Sequence, residues 1–208
     1  MSQPRIIVAT GNAHKTGEIA AALERAGVRI EVVSAKAVGG MPEVEENAVT
    51  FAGNARLKAE ALLTQVTKQG LDAATNWVLA DDSGLEVDAL DGAPGIYSAR
   101  YAGPGATDAD NNAKLLNALA GKPPPERGAR FTCTLVLLGD GVDETFAGHC
   151  PGQILDAPSG DAGFGYDPLF APDGYEETFA QLGGAVKDRI SHRAHACQLL
   201  AKWLMRKV

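Results

Sequence analysis

The segment that most constrains the fold is Arg5-Ile6-Ile7-Val8-Ala9, followed at once by Thr10-Gly11-Asn12. An unbroken apolar run this short, ended by turn-forming residues, reads as a buried strand. Apolar residues then recur at helical spacing across Lys15 to Ala26 (Ile19, Ala22, Leu23, Ala26), and Gly27 stops the helix. Val28 to Val33 alternates as a second strand. Strand, turn, helix and strand in this order predict an α/β fold. A chain of 208 residues holds one substantial core, so a single domain over residues 1–208 is expected.

Downstream, a polar stretch from Gly39 to Asn47 carries Glu43, Glu45 and Glu46. The stripe Phe51, Ala55, Ala59, Leu62 and Val66 predicts a long helix, roughly Thr50 to Gln69. Trp77 to Ala80 reads as a strand that ends at Asp81-Asp82-Ser83-Gly84. Thr107 starts another helix, and Lys122 to Gly128 (KPPPERG) reads as a loop. Arg130–Leu138 and Glu144–His149 form a hairpin around Gly139-Asp140-Gly141, with Gln153–Leu155 as a further strand. Ser191 caps a last helix.

Charge narrows the function classes. Lys and Arg total 19 against 26 Asp and Glu, a formal net charge of -7. An acidic surface argues against a nucleic-acid backbone binder but leaves room for a small nucleotide in a local basic pocket. Cys133, Cys150 and Cys197 are odd in number and form no CxxC pair, which speaks against a disulfide framework or a structural zinc site. They read as buried small apolar residues in a cytoplasmic protein. The opening residues hold no signal-peptide pattern, and no apolar run is long enough to span a membrane.

Five groups of residues carry candidate chemistry. Thr10-Gly11-Asn12-Ala13-His14-Lys15 sits between strand and helix. It is either an anion seat at a helix N-terminus or an ordinary turn with Asn12 as cap and Lys15 in solvent. Asp81 and Asp82 either point to opposite sides of a strand end, one facing a site and the other structural, or Asp82-Ser83-Gly84 is a polar turn. With Glu45 or Glu46, such carboxylates suit a hard cation that keeps phosphate and water ligands. Asn54 and Lys58 share a helical face, which by spacing alone is a solvated edge. Phe164-Gly165-Tyr166-Asp167-Pro168 either stacks on a base or seals a core. Lys187 precedes Ser191-His192-Arg193, where two basic residues at the start of a helix oppose the helix dipole and point to an acceptor-rich partner.

Taken in order, TGNAHK, EEN before FAGNARLKAEA, LADDSGLEVDALDGAPGIYSARYAG, GFGYDPLF and K...ISHRAHA resemble one family from about residue 6 to about residue 200. It is the noncanonical purine nucleoside triphosphate pyrophosphatase family, also called the inosine triphosphate pyrophosphatase family. The resemblance implies hydrolysis of ITP, dITP, XTP and dXTP to the monophosphate plus pyrophosphate with Mg²⁺, which cleanses the nucleotide pool. It also implies an elongated α/β subunit with a long central mixed sheet flanked by helices, a nucleotide cleft between two lobes, and a homodimer. Carried over by position, Thr10, Gly11, Asn12, Ala13, His14 and Lys15 hold phosphates with help from Lys58. Glu46 and Asp82 bind Mg²⁺, and Asp82 is the general base beside the substrate contact Ser83. Phe164 stacks on the purine, and Gly165, Tyr166 and Asp167 shape its pocket. Lys187, His192 and Arg193 complete recognition. Gly183-Gly184 stand where acidic residues are frequent in the family. Two rival readings are a Maf-like pyrophosphatase of modified pyrimidine nucleotides and a nucleotide sensor without turnover.

Overall fold

Apolar residues on both faces of the first strand decide the layering. The computed structural model describes residues 4–207, apart from the side chains of Ala13 and His14. Among these residues six strands form one mixed sheet in the order β2-β1-β3-β4-β5-β6, flanked by helices. β1 (Arg5–Val8) runs parallel to both β2 (Glu31–Ser34) and β3 (Asn76–Val87). β4 (Gly128–Gly139) and β5 (Val142–Ile154) are joined by Asp140-Gly141, and β6 (Phe170–Pro172) pairs antiparallel with β5. The α/β class expected from the sequence is the class observed. No helix among the described residues is long and apolar enough to cross a membrane.

The chain divides into two compact units. The first takes the described residues up to 82, residues 133–148, and those from 196 onward. Its strands alternate their side chains between two cores. Ile6, Val8, Trp77 and Leu79 pack with Ile19 and Leu23 of α1 (Ala13–Arg25) and with Leu200 and Leu204 of α6 (His192–Lys207). Ile7, Val78 and Ala80 pack with Ala55, Ala59, Leu62 and Val66 of α2 (Phe51–Lys68). α2 begins as its cap predicts: Thr50 Oγ1 accepts from the Gly53 N–H at 3.0 Å.

The second unit holds residues 83–132 and 149–195. Its core joins Leu85 and Val87 to Phe131, Phe170 and Phe179, with Leu115 and Leu119 from α3 (Asp108–Ala118). Phe131 meets Phe170 edge-on at 4.7 Å between ring centroids. Two short helices were not foreseen, α4 (Phe179–Leu182) and α5 (Gly184–Ile190).

Three expectations need correction. Gln153–Leu155 is not a further strand, because β5 runs unbroken from Val142 to Ile154. Asp81-Asp82-Ser83-Gly84 does not end its strand: β3 continues to Val87. The two carboxylates find lysines, and the apolar pattern resumes at Leu85 and Val87, both buried. The expected loop from Lys122 to Gly128 ends at Arg127, because Gly128 already belongs to β4; it includes a 3₁₀ turn at Pro124–Glu126 and contains a buried anchor. The Arg127 guanidinium donates to the carbonyls of Leu119, Ile154 and Leu155 at 3.2, 2.8 and 2.9 Å. The three cysteines are buried, as expected, and burial pushes the Cys150 thiol up to about 12.

Candidate active site

In the first unit, charged side chains from four segments gather around β3. The turn after β1 places Asn12 at the head of α1, where its carbonyl accepts from the Thr16 N–H at 3.4 Å. The Asn12 N–H donates to Thr10 Oγ1 at 3.0 Å, which closes the turn, and Gly11 is exposed. Lys15, in the first helical turn, forms an ion pair with Asp81 of β3. The Asp81 side chain is only 1% exposed and also accepts from the Cys133 thiol at 3.3 Å. The side chains of Ala13 and His14, both expected at the phosphates, lie outside the described residues.

Asp82 faces a different lysine. Lys58 Nζ donates to Asp82 Oδ1 at 2.8 Å and to Glu46 Oε2 at 3.0 Å. The adjacent aspartates therefore divide as strand geometry requires, and Glu46, rather than Glu45, reaches the lysine. Burial raises the Asp82 pKa above the ordinary aspartate value; Lys58 pulls the other way, and Glu46 and Asp81 add to the rise. Burial works against the Lys58 ammonium, but Asp82 and Glu46 outweigh it and raise its pKa. A carboxylate that accepts a proton more readily than usual, beside cations, is suited to activating water.

Glu46 and Asp82 each bring an oxygen to one point of positive charge, a donor pair that fits a hard divalent cation. No cluster of three or more His, Cys, Asp or Glu among the described residues encloses a metal.

The sequence reading left Asn54 on a solvated edge. The structure buries it at 1% exposure, with its Oδ1 accepting from the Ala48 N–H at 3.0 Å. Nothing in the spacing of Asn54 and Lys58 distinguishes an edge that faces water from one that faces a folded-back loop.

The second unit carries the remaining expected residues. Phe164 is 45% exposed, an unusual state for a large aromatic ring, and Lys187 Nζ stands 4.4 Å from its centroid. Lys187 pairs with buried Asp167, whose Oδ2 also accepts from the Phe164 N–H at 2.9 Å. Asp167 thus fixes both the loop that presents the ring and the ammonium beside it. Gly165 is held by its N–H, which donates to Asp108 Oδ2 at 2.6 Å. Tyr166 is buried, and its hydroxyl donates to the Ser98 carbonyl at 2.9 Å, so it supports the loop from behind. Burial raises its pKa.

Ser191 caps α6 as expected, with Oγ accepting from the Ala194 N–H at 3.2 Å. His192 and Arg193 are both buried in the first turn. His192 stacks on Phe131 at 4.9 Å, and Arg193 Nη2 donates to Ser83 Oγ at 3.4 Å. Gly183 alone separates α4 from α5, which begins at Gly184, and Lys187 still reaches Asp167.

The family model described as the Ham1 family matches residues 6–203. A protein of Opitutus terrae named dITP/XTP pyrophosphatase is 51% identical over 205 residues, covering 96% of this chain and 98% of its own. One of the same name from Geobacter sulfurreducens is 48% identical over 197 residues, covering 94% of each. Among solved structures, the Staphylococcus aureus Ham1 protein superposes with a TM-score of 0.83 at 38% identity, covering 98% of this chain and 100% of its own. A HAM1 protein from Coxiella burnetii gives 0.86 at 35% identity with the same coverage. With the family model and these relatives covering almost its whole length, the chain belongs to the Ham1 family.

Proposed function

We propose that this chain hydrolyses dITP, ITP, XTP and dXTP to the nucleoside monophosphate and pyrophosphate, with Mg²⁺, as a cytoplasmic homodimer. Relatives that share about half its residues carry the name dITP/XTP pyrophosphatase. One observation carries the reading above all: a lysine between two carboxylates, Glu46 and Asp82, beside a second acid–lysine pair, Asp81 and Lys15. A phosphate-cleaving site needs this mixture of cations for the oxyanions and a carboxylate for water.

Glu46 and Asp82 would hold the Mg²⁺, which when bound supplies charge neutralisation to the triphosphate. Asp82 accepts the proton of the attacking water. Lys15 and Lys58 stabilise negative charge as it moves onto the departing pyrophosphate. Thr10, Gly11, Asn12, Ala13 and His14 line the phosphate side, with backbone N–H groups at the start of α1 as donors. Phe164 offers its exposed face to the purine. His192 and Arg193 donate toward O6, an acceptor in hypoxanthine and xanthine where adenine carries a donor, and with Lys187 they complete recognition of phosphate and base. Gly165, Tyr166 and Asp167 shape the base pocket, and Ser83 contacts the substrate next to Asp82.

Product analysis with dITP tests this reading. Monophosphate and pyrophosphate are expected, with turnover dependent on Mg²⁺. Diphosphate and phosphate, or no turnover, overturn it. Asp82→Asn is expected to lower kcat by about 10²–10⁴-fold.

A further inference from the structure

We propose that Asn54 is a positioning residue, which holds the Glu46 segment on the head of α2 so that the Glu46 carboxylate keeps its place when Lys58 turns from it to a phosphate. The inference rests on the pyrophosphatase reading above and assigns a role to a residue which that reading leaves out.

Three contacts converge on the segment. The Ala48 N–H donates to Asn54 Oδ1 at 3.0 Å, and Asn54 is 1% exposed, so water does not compete for the bond. Thr50 Oγ1 accepts from the Gly53 N–H at 3.0 Å, which fixes where the chain enters the helix. Gly53 lies beneath Ala48: a Cβ at residue 53 would stand 2.6 Å from the Ala48 Cβ, closer than packed carbons approach. Only a bare Cα lets the segment lie this near the helix.

Asn54 and Lys58 are one helical turn apart and grip the segment at two points. Asn54 takes the backbone at residue 48, and Lys58 takes the carboxylate at residue 46. The two grips respond differently to a substrate. Lys58 is cationic, and its attraction to a phosphate competes directly with its bond to Glu46. The Asn54 amide is neutral and buried, and it has no such competitor. Of these two grips, the one that persists through binding is therefore the one at Asn54. A carboxylate held this way meets a cation with its conformational freedom already restricted, which favours binding.

The test uses the full chain without nucleotide, titrated with Mn²⁺ alone and followed by the electron paramagnetic resonance of the free ion. Asn54→Ala is expected to raise the half-saturating Mn²⁺ concentration about tenfold, the scale of losing an outer support of a metal ligand. Asn54→Asp keeps an oxygen acceptor for the Ala48 N–H and is expected to recover most of that loss. Gly53→Ala favours the helix but crowds Ala48, and it is expected to weaken Mn²⁺ binding as well. It carries the test if Asn54→Ala fails to fold. The inference is overturned if Gly53→Ala and a folded Asn54→Ala both bind Mn²⁺ within roughly twofold of the parent, or if the parent binds none. Because no nucleotide is present, failure of dITP hydrolysis would remove the pyrophosphatase reading without altering this result.

Discussion

A strand turns successive side chains to opposite faces, so Asp81 and Asp82 meet different lysines although they are neighbours in the chain. Asp81 is the more deeply buried and accepts from both Lys15 and Cys133. It holds the Lys15 ammonium at the turn after β1. Asp81→Asn is expected to destabilise the protein by about 1–3 kcal/mol, because a charged donor loses its charged acceptor in a sheltered place. The melting temperature should fall by roughly 3–10 °C. Lys15→Met added to Asp81→Asn should restore part of that loss, since removing both members of a buried pair costs less than stranding one. Strictly additive melts would show that the pair is not coupled. That the two side chains of the DD dipeptide point apart was legible. Which lysine belonged to each was not, since the Lys15 and Asp81 partners lie 66 residues apart.

Elements differed in legibility for physical reasons. α2 was read almost to its ends because a capping Thr50 precedes an apolar stripe of four turns. β6, α4 and α5 span 3, 4 and 7 residues, too short for any periodicity to develop. The extent of β3 was missed because its charges looked like a turn, and their neutralisation comes from other elements. Arg127 was hidden in a proline-rich loop, where nothing local marks burial. It joins the end of α3 to the end of β5 through three carbonyls and has an ion pair to Asp156 at 3.1 Å. Arg127→Met is expected to lower unfolding free energy by about 3–5 kcal/mol in urea titrations, because buried carbonyls lose their donors together. Arg127→Lys should recover only part of it, because a single ammonium cannot reproduce the planar fork. A loss below about 1 kcal/mol for Arg127→Met would mean the loop is a passive connection.

For the molecule as a whole, the α/β class was legible, while the arrangement of acids on bases needed coordinates. That arrangement also sets the response to acid. Glu86 Oε2 accepts from Arg130 at 2.8 Å and from Thr132 at 2.5 Å. Burial opposes its ionised form, but these donors prevail and hold its pKa below the ordinary glutamate value of 4.5. A depressed carboxylate stabilises the fold above its unfolded pKa, and that contribution disappears as pH falls through the folded value. Glu86→Gln is therefore expected to lower stability at pH 7 by about 0.5–1 kcal/mol, a partly exposed pair being screened by water. The gap between parent and variant should narrow below pH ~4.5, and urea titrations from pH 3 to 7 would reveal it. A gap that stays constant across that range would exclude ionisation of Glu86 as its source.

The three sheltered thiols have a practical corollary. Maleimide dyes attack thiolates that solvent can reach, and Cys133, Cys150 and Cys197 all lie beneath the surface. One cysteine introduced at an exposed position such as Val49, beside the segment that Asn54 grips, would take up a fluorophore alone. The movements of that segment could then be followed in solution on an otherwise unaltered chain.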